Sequence, residues 1–304
     1  MKMVGSKNTL RGGIMRFNMM SLSKLSALSL ILALSSSAIA GGKSALTFTQ
    51  MNIKWFGLNG SPTDGGNETR VPSIRAHLEK HNLLSDVMVF EEIVDVELLT
   101  TGVLEDKYKC HSYDRNDPKH QHVVLCHLKK YKLEPGPGTK DLIMNELDLN
   151  GRLRPAVHGV LKDYKGRSVF HIIAVHLKAM PEMSEVRMQQ VKVIADYLAS
   201  IGKRTPVAVM GDFNTYGSDP QDISDMFADV GLEEVHSPED FTWASAAETY
   251  PRAKFDRTWM SHAAAATVKE SRVVGPCNES TQVALETYNR KVSDHCAVKV
   301  EFQE

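Results

Sequence analysis

Four cysteines are all that this 304-residue chain holds, and none falls in a Cys-x-x-Cys pair or at a Cys/His spacing that would hold zinc. Aromatic residues are few, 7% of the chain with three tryptophans, and no tryptophan-rich loop is present to enter a membrane interface. The apolar stretch Leu25–Leu34 falls well short of the roughly 20 residues a membrane-spanning helix needs. No internal repeat and no low-complexity linker divides the sequence beyond residue 40.

Acidic residues are missing from the first forty positions, which carry Lys2, Lys7, Arg11, Arg16 and Lys24. The apolar stretch, a serine run and the triplet Ala38-Ile39-Ala40 follow. Basic n-region, short h-region and small-x-small exit describe a secretory signal peptide over residues 1–40, with a mature domain over 41–304 and a secreted or periplasmic destination. No cysteine lies beside the cut, which argues against a lipoprotein. These positions take five of the 36 basic residues and none of the 37 acidic ones, so the remainder holds 31 against 37, a net of −6. A non-specific grip on a polyanion is therefore not written in the bulk charge, and phosphate binding would need a local patch or a metal.

Four cysteines in an exported chain predict two disulfides with three possible connectivities. Cys110 with Cys126 and Cys277 with Cys296 are preferred, because each pair lies in runs that read as neighbouring strands; free buried thiols are the alternative.

Strands are predicted at Ala45–Trp55, Asp86–Phe90, Tyr108–Tyr113, His122–His127, Pro206–Met210, Phe255–Ser261, Thr267–Val274 and Cys296–Phe302. Leu153–Tyr164 and Arg167–His176 form a hairpin turning at Lys165-Gly166. Helices are predicted from Pro72, over Val94–Leu104 and over Ser184–Leu198, and one opens with Asp219 as N-cap and Pro220 at its first position. Gly57–Thr69 and Glu134–Asn150 read as polar loops, and a polar tip holds Asp114, Asp117 and His120. Strands interrupted by helices give an α/β chain.

Polar residues interrupt or end these apolar strands: Asn52, Glu92, His176, Asp212 with Asn214, Asp256, and Asp294 with His295. Charged groups are costly to bury unless paired or metal-bound, so a converging set at strand ends needs a use. Each alone is weak, since a carboxylate after a strand is more often a turn former. Their joint order carries the signal.

That order, in Gln50-Met51-Asn52, Phe90-Glu91-Glu92, Val175-His176-Leu177-Lys178, Gly211-Asp212-Phe213-Asn214, Phe255-Asp256-Arg257 and Ser293-Asp294-His295, resembles the endonuclease/exonuclease/phosphatase superfamily across the whole mature chain. The resemblance implies a four-layer sandwich (α/β, of the α+β kind) of two mixed β-sheets packed face to face with helices outside. It also implies a phosphodiester-cleaving site at one sheet edge. Glu92 is then the main ligand of a divalent metal, Mg²⁺ with Mn²⁺ or Ca²⁺ as substitutes, with Asn52 and Asp294 nearby. His295 is the base-side histidine oriented by Asp256, Asp212 and Asn214 position water and phosphate, and His176 contacts phosphoryl oxygens or assists the leaving group. Magnesium takes oxygen ligands and acts as a Lewis acid on phosphate, while a carboxylate behind a histidine fixes its tautomer.

Two departures stand out. Glu91 replaces the usual glutamine before the metal glutamate, and no carboxylate appears in His120-Gln121-His122 to back His176. Arg154, then Arg152, resemble the family's phosphate-holding Arg-Pro element, and Thr242-Trp243 resembles an element that lies against substrate. Lys129, Lys130 and Lys132 with His120, His122 and His127 are candidates for a local basic patch. Three functions remain open: a Mg²⁺-dependent nuclease acting on DNA, with RNA as a further substrate, a phospholipid phosphodiesterase or phosphoinositide phosphatase on the same site, and a catalytically silent binding protein. The polar loops favour the nuclease, a monomer with a nucleic-acid substrate and no stable membrane insertion.

Overall fold

A computed structural model of the chain describes residues 45–58, 66–114, 120–149, 151–202, 205–235, 240–247, 251–279 and 281–304. The predicted signal peptide and Asp117 lie outside them. Among the described residues the strands are β1 Thr47–Phe56, β2 Val87–Ile93, β3 Tyr108–His111, β4 His122–Leu128, β5 Lys132–Glu134, β6 Ile143–Met144, β7 Ala156–Lys162, β8 Ser168–His176, β9 Val207–Asp212, β10 Leu232–Glu234, β11 Asp256–Ser261, β12 Val268–Val274 and β13 Ala297–Phe302. The helices are α1 Gly66–Lys80, α2 Ser184–Ile201, α3 Asp219–Asp229, the single turn α4 His262–Ala265 and α5 Gln282–Lys291.

The strands form two mixed sheets, one ordered β12-β13-β1-β2-β4-β3 and the other β10-β11-β9-β8-β7-β5 with β6 beside β7. In each, one pair is parallel, β1 with β2 and β8 with β9, and the remaining pairs are antiparallel. Three apolar layers separate the elements. Phe48, Val89, Leu125, Ile172, Ala208, Met210 and Val300 fill the space between the sheets. Met51, Phe90, Ile74, Leu78 and Leu285 pack α1 and α5 on the outside of the first sheet, and Ile173, Val209, Ile194, Ile223 and Phe227 pack α2 and α3 on the second. The result is the predicted four-layer sandwich. It follows from period-2 alternation on strands that are apolar on both faces, since such sheets must be covered twice.

Both preferred disulfides are formed. Cys110 and Cys126 face each other directly across the β3–β4 pair, and Cys277 joins Cys296 at the start of β13.

Several local expectations need correction. Helix α1 begins at Gly66 rather than at Pro72, which sits inside it. Its first turns are held by tertiary bonds: the buried Arg70 guanidinium donates to the carbonyls of Ile53, Lys54 and Val292. The predicted helix over Val94–Leu104 is present, but it starts only at Val96 and widens to a π-helix over Leu98–Val103, with Leu104 N–H donating to Leu99 O at 3.0 Å. Thr100, Thr101 and Gly102 are weak α-helix formers, which permits this. Asp219 is the first residue of α3, not its cap, because its carboxylate is taken by the fully buried Arg187 at 2.6 and 2.7 Å. A buried guanidinium needs that counter-charge. Glu134–Asn150, read as loop, contains β6, and the polar helix α5 had no apolar signal strong enough to predict it.

Candidate active site

The alternation that builds the inter-sheet core also builds the site. Phe48 faces the opposite sheet, so Gln50 and Asn52 on the same strand do too; Val87 and Val89 are followed in step by Glu91. The same step leads from Ile172 and Ala174 to His176, from Ala208 and Met210 to Asp212, and from Met260 through Thr258 to Asp256. On β4 it leads from Leu125 and Val123 back to Gln121. At one end of the sandwich the inward positions turn polar together.

The glycine before Asp212 is required by a close backbone approach. Gly211 has φ +148°, and a Cβ there would lie 1.9 Å from the Val175 carbonyl oxygen on the parallel neighbour β8. Its own carbonyl accepts from Gln50 Nε2 at 2.8 Å across the sheets. Lys54, Trp55, Glu92 and Asn214 all have positive φ although none is glycine, a concentration of backbone strain of the kind found at functional sites.

Asn52 is the hub. Its Nδ2 donates to Glu92 Oε1 at 3.1 Å and to Asp212 Oδ2 at 3.0 Å, while Oδ1 accepts from Lys54 N–H at 2.9 Å. Glu92 Oε2 accepts from Trp55 N–H at 3.2 Å and from Gln121 Nε2 at 2.7 Å. Asp212 Oδ1 caps the turn at Asn214 N–H, 2.8 Å away, and Asn214 Nδ2 donates to Leu177 O at 3.3 Å. One ligand atom each from Glu92, Asp212 and His295 lies within 4.8 Å of the other two, the spacing of a metal-binding trio. Oxygen donors dominate this set, which suits a hard divalent cation.

His295 donates from Nδ1 to Asp256 Oδ2 at 2.8 Å, which directs Nε2 toward Asp212 Oδ2, 3.9 Å away. Burial opposes charging of this imidazole, but the carboxylates of Asp256, Asp212 and Asp294 outweigh it and raise its pKa to about 10. Burial, with Asp256 and Glu92 nearby, lifts Asp212 to about 7 against the opposing pull of His295 and the Asn52 hydrogen bond. Glu91 is fully buried and pushed well up, first by burial and then by Asp256 and Asp212. His176 is pushed well below the usual histidine range by burial, then by Arg154 and His295. The partner that sequence could not name for His176 is Asp212, whose Oδ2 lies 3.5 Å from Nε2.

Asp294 is not one of the trio. Its Oδ2 pairs with Lys54 Nζ at 2.5 Å, and Oδ1 is buried without a hydrogen bond. Arg154 reaches the site from the approach to β7, donating to His176 O at 3.2 Å, Gln121 Oε1 at 2.9 Å and Leu177 O at 3.1 Å. Arg152 is exposed. Trp243 is 9% exposed with its ring against Phe255, and its backbone bridges to His295, so it supports the histidine loop. The six candidates for a basic patch do not form one. Lys130 and Lys132 are tied to Asp86 and Glu134 beyond the far end of β4, a seven-residue strand, while His120 and His122 lie at the site end.

Sequence reading missed Gln121 and Lys54. Gln121 was legible as the inward position two before Val123 and four before Leu125; Lys54 follows an irregularity in the β1–β2 register, and no periodicity reaches it.

No protein-family model and no curated protein matches the sequence. Solved structures do match in shape. TDP2 of D. rerio in complex with a single-strand DNA product superposes with a TM-score of 0.64 at 16% identity, covering 86% of this chain and 100% of that one. The human Nocturnin catalytic domain with bound sulfate gives 0.58 at 18% identity over 85% and 94%, and a mannosyl-6-phosphatase of Bacteroides thetaiotaomicron gives 0.63 at 17% over 86% and 100%. An endonuclease/exonuclease/phosphatase family protein of the same bacterium gives 0.61 at 17% over 85% and 97%. Two face-to-face mixed sheets inside two helical layers are the fold that this chain shares with these structures, among them the endonuclease/exonuclease/phosphatase family protein.

Proposed function

We propose that this chain is an exported, divalent-metal-dependent phosphoesterase, most specifically a Mg²⁺-dependent nuclease that hydrolyses phosphodiester bonds of DNA. The observation that carries it is the convergence of Glu92, Asp212 and His295 within 4.8 Å, with Asn52 bonded to both carboxylates and Asp256 behind the histidine. Residues 1–40 are the proposed signal peptide and 41–304 the mature enzyme, and two disulfides accord with an oxidising destination. Among the described residues no helix is long and apolar enough to cross a membrane.

Glu92, with Asn52 and Asp212 beside it and Asp294 close by, would hold the metal. Bound there, Mg²⁺ supplies Lewis-acid neutralisation of the non-bridging phosphate oxygens. His295 is charged while the surrounding carboxylates are uncompensated; their compensation returns it toward neutrality, the form whose Nε2 accepts a proton from water. Asp256 fixes the tautomer by taking the Nδ1 proton in a hydrogen bond, and steadies the imidazolium that results. Asn214 and neutral His176 present donors to the phosphoryl oxygens without adding charge. Arg154 keeps unused N–H groups for a phosphate beyond the three acceptors that orient it.

The single-strand DNA product in the D. rerio neighbour supports a nucleic-acid substrate, and the mannosyl-6-phosphatase neighbour makes phosphate monoesters the competing substrate class. Purified mature protein is to be incubated with supercoiled plasmid, RNA, sphingomyelin and a phosphoinositide, each with Mg²⁺ or EDTA, beside His295→Ala and Glu92→Ala. Mg²⁺-dependent nicking lost in both variants is the expected result. Release from lipid without nicking would replace the nuclease reading, cleavage surviving in both variants would reject the site, and no cleavage at all would favour a silent scaffold.

A further inference from the structure

Glu91 is the buried carboxyl group for which the site as described has no use. It is fully buried, and neither carboxyl oxygen has a hydrogen-bond partner among the described residues. It stands opposite Asn52 in the parallel β1–β2 register, on the same inter-sheet face, so it belongs to the closed interior of the cluster and not to its mouth. A carboxyl group so placed is costly in either protonation state, since the neutral form leaves its O–H unsatisfied and the ionised form leaves its charge unpaired.

The charges around it show what is missing. Five carboxylates gather here: Glu91, Glu92, Asp212, Asp256 and Asp294. Lys54 is 2.5 Å from Asp294, and His295 is 2.8 Å from Asp256. Asn52 and Gln121 serve Glu92 and Asp212 only with neutral amide donors. Among the described residues Glu91, Glu92 and Asp212 therefore have no cationic partner closer than the imidazoles of His176 and His295, which lie 3.5 and 3.9 Å from Asp212 Oδ2. Two buried carboxyl groups, Glu91 and Asp212, beside the half-buried Glu92 favour a divalent cation more than Glu92 and Asp212 alone would.

We propose that Glu91 is a further anionic residue of the metal centre, one that strengthens divalent-cation binding through the closed interior and destabilises the metal-free protein. This rests on the metal-dependent reading above. Its consequence is an apo protein that is strained by its own site and a holo protein that is relieved.

The test uses the whole mature protein and reads metal binding directly. Mn²⁺ and Mg²⁺ are titrated by calorimetry into wild type, Glu91→Gln and Glu91→Asp, and thermal unfolding is followed in EDTA and in excess Mn²⁺. Glu91→Gln, which keeps the shape and removes the charge, is expected to bind at least fivefold more weakly and to unfold at a higher temperature in EDTA. Glu91→Asp is expected to bind more tightly than Glu91→Gln. Unchanged affinity in Glu91→Gln overturns the proposal, as does a lower unfolding temperature in EDTA or a failure of this variant to fold, since each would mean that Glu91 has an internal partner. Wild type that binds neither ion overturns the metal-dependent reading along with it, whereas wild-type binding with an unaltered Glu91→Gln overturns this inference alone.

Discussion

Asp256 Oδ2 and His295 Nδ1 lie 2.8 Å apart, both side chains buried, on elements separated by 39 residues of chain. The pair links the proposed proton acceptor to pH-dependent stability. Because the folded-state pKa of His295, about 10 without metal, exceeds the unfolded value of about 6.5, the protonated imidazole stabilises the fold. That contribution is complete below about pH 6.5, declines as pH rises toward 10 and is gone above it. In EDTA, wild type should therefore lose unfolding temperature between pH 7 and 10 more steeply than His295→Gln. Parallel curves would sink the assignment. In the Mg²⁺-loaded enzyme, Asp256→Asn should lower kcat by roughly 10²- to 10⁴-fold with little change in KM.

Arg154 is fixed by three acceptors, and Arg152 is exposed. Arg154→Ala should reduce kcat/KM by roughly 10²-fold on the order of a lost charged hydrogen bond or two, and Arg152→Ala by less than about threefold. Arg154→Lys should not rescue, because one ammonium cannot replace a guanidinium fork spanning His176 O, Leu177 O and Gln121. Equal effects in the two alanine variants would show that the bonded geometry of Arg154 is irrelevant to substrate.

The two disulfides should separate in function. Cys110–Cys126 closes a 16-residue separation on an edge hairpin, and serine at both positions should cost about 3 kcal/mol of stability with kcat intact. Cys277–Cys296 anchors the residue after His295. Its removal should lower kcat as well as stability. Denaturant midpoints and steady-state rates on the two double variants decide this.

Acid should unfold the protein early. Burial holds His77 and His111 down to about 4 and His171 to about 3, with His81, His127 and His158 respectively adding to the effect. The unfolded chain protonates these groups near 6.5, so the stability they confer when neutral is present above that pH and is lost as pH falls toward 4 and 3. The urea midpoint should drop between pH 7 and 4.5, and by less in His171→Gln. A midpoint independent of pH over this interval would contradict it.

Gly211→Ala tests the close approach of β9 to β8. A methyl group 1.9 Å from Val175 O cannot be accommodated without moving backbone that carries both His176 and Asp212. The variant should be destabilised by at least about 3 kcal/mol, or fold with metal binding abolished. A stable variant with unaltered metal affinity would show the register to be softer than the structure indicates.

Much of this was readable in one dimension. Alternation on Phe48–Gln50–Asn52, Ile172–Ala174–His176 and Ala208–Met210–Asp212 places each polar residue on the face of its apolar neighbours, and strand-flanking cysteines give the disulfides, because side-chain period and nearest-strand pairing are local properties. The role of Arg70, the exact start of the helix at Asp219 and the π form of the helix at Leu98–Val103 were not legible because distant atoms decide them: carbonyls at Ile53 and Val292, the guanidinium of Arg187, and packing over Gly102.

The chain alone determined which residues are chemically able to serve and which face of each strand they occupy. Only the tertiary structure decided who meets whom: that Gln121 joins Glu92 to Arg154, that Lys54 claims Asp294, that His176 faces Asp212, and that Glu91 is left without a partner. The physical reason is that a hydrogen bond or ion pair is set within a few ångströms in space, whereas sequence specifies only the direction in which each side chain leaves its own strand.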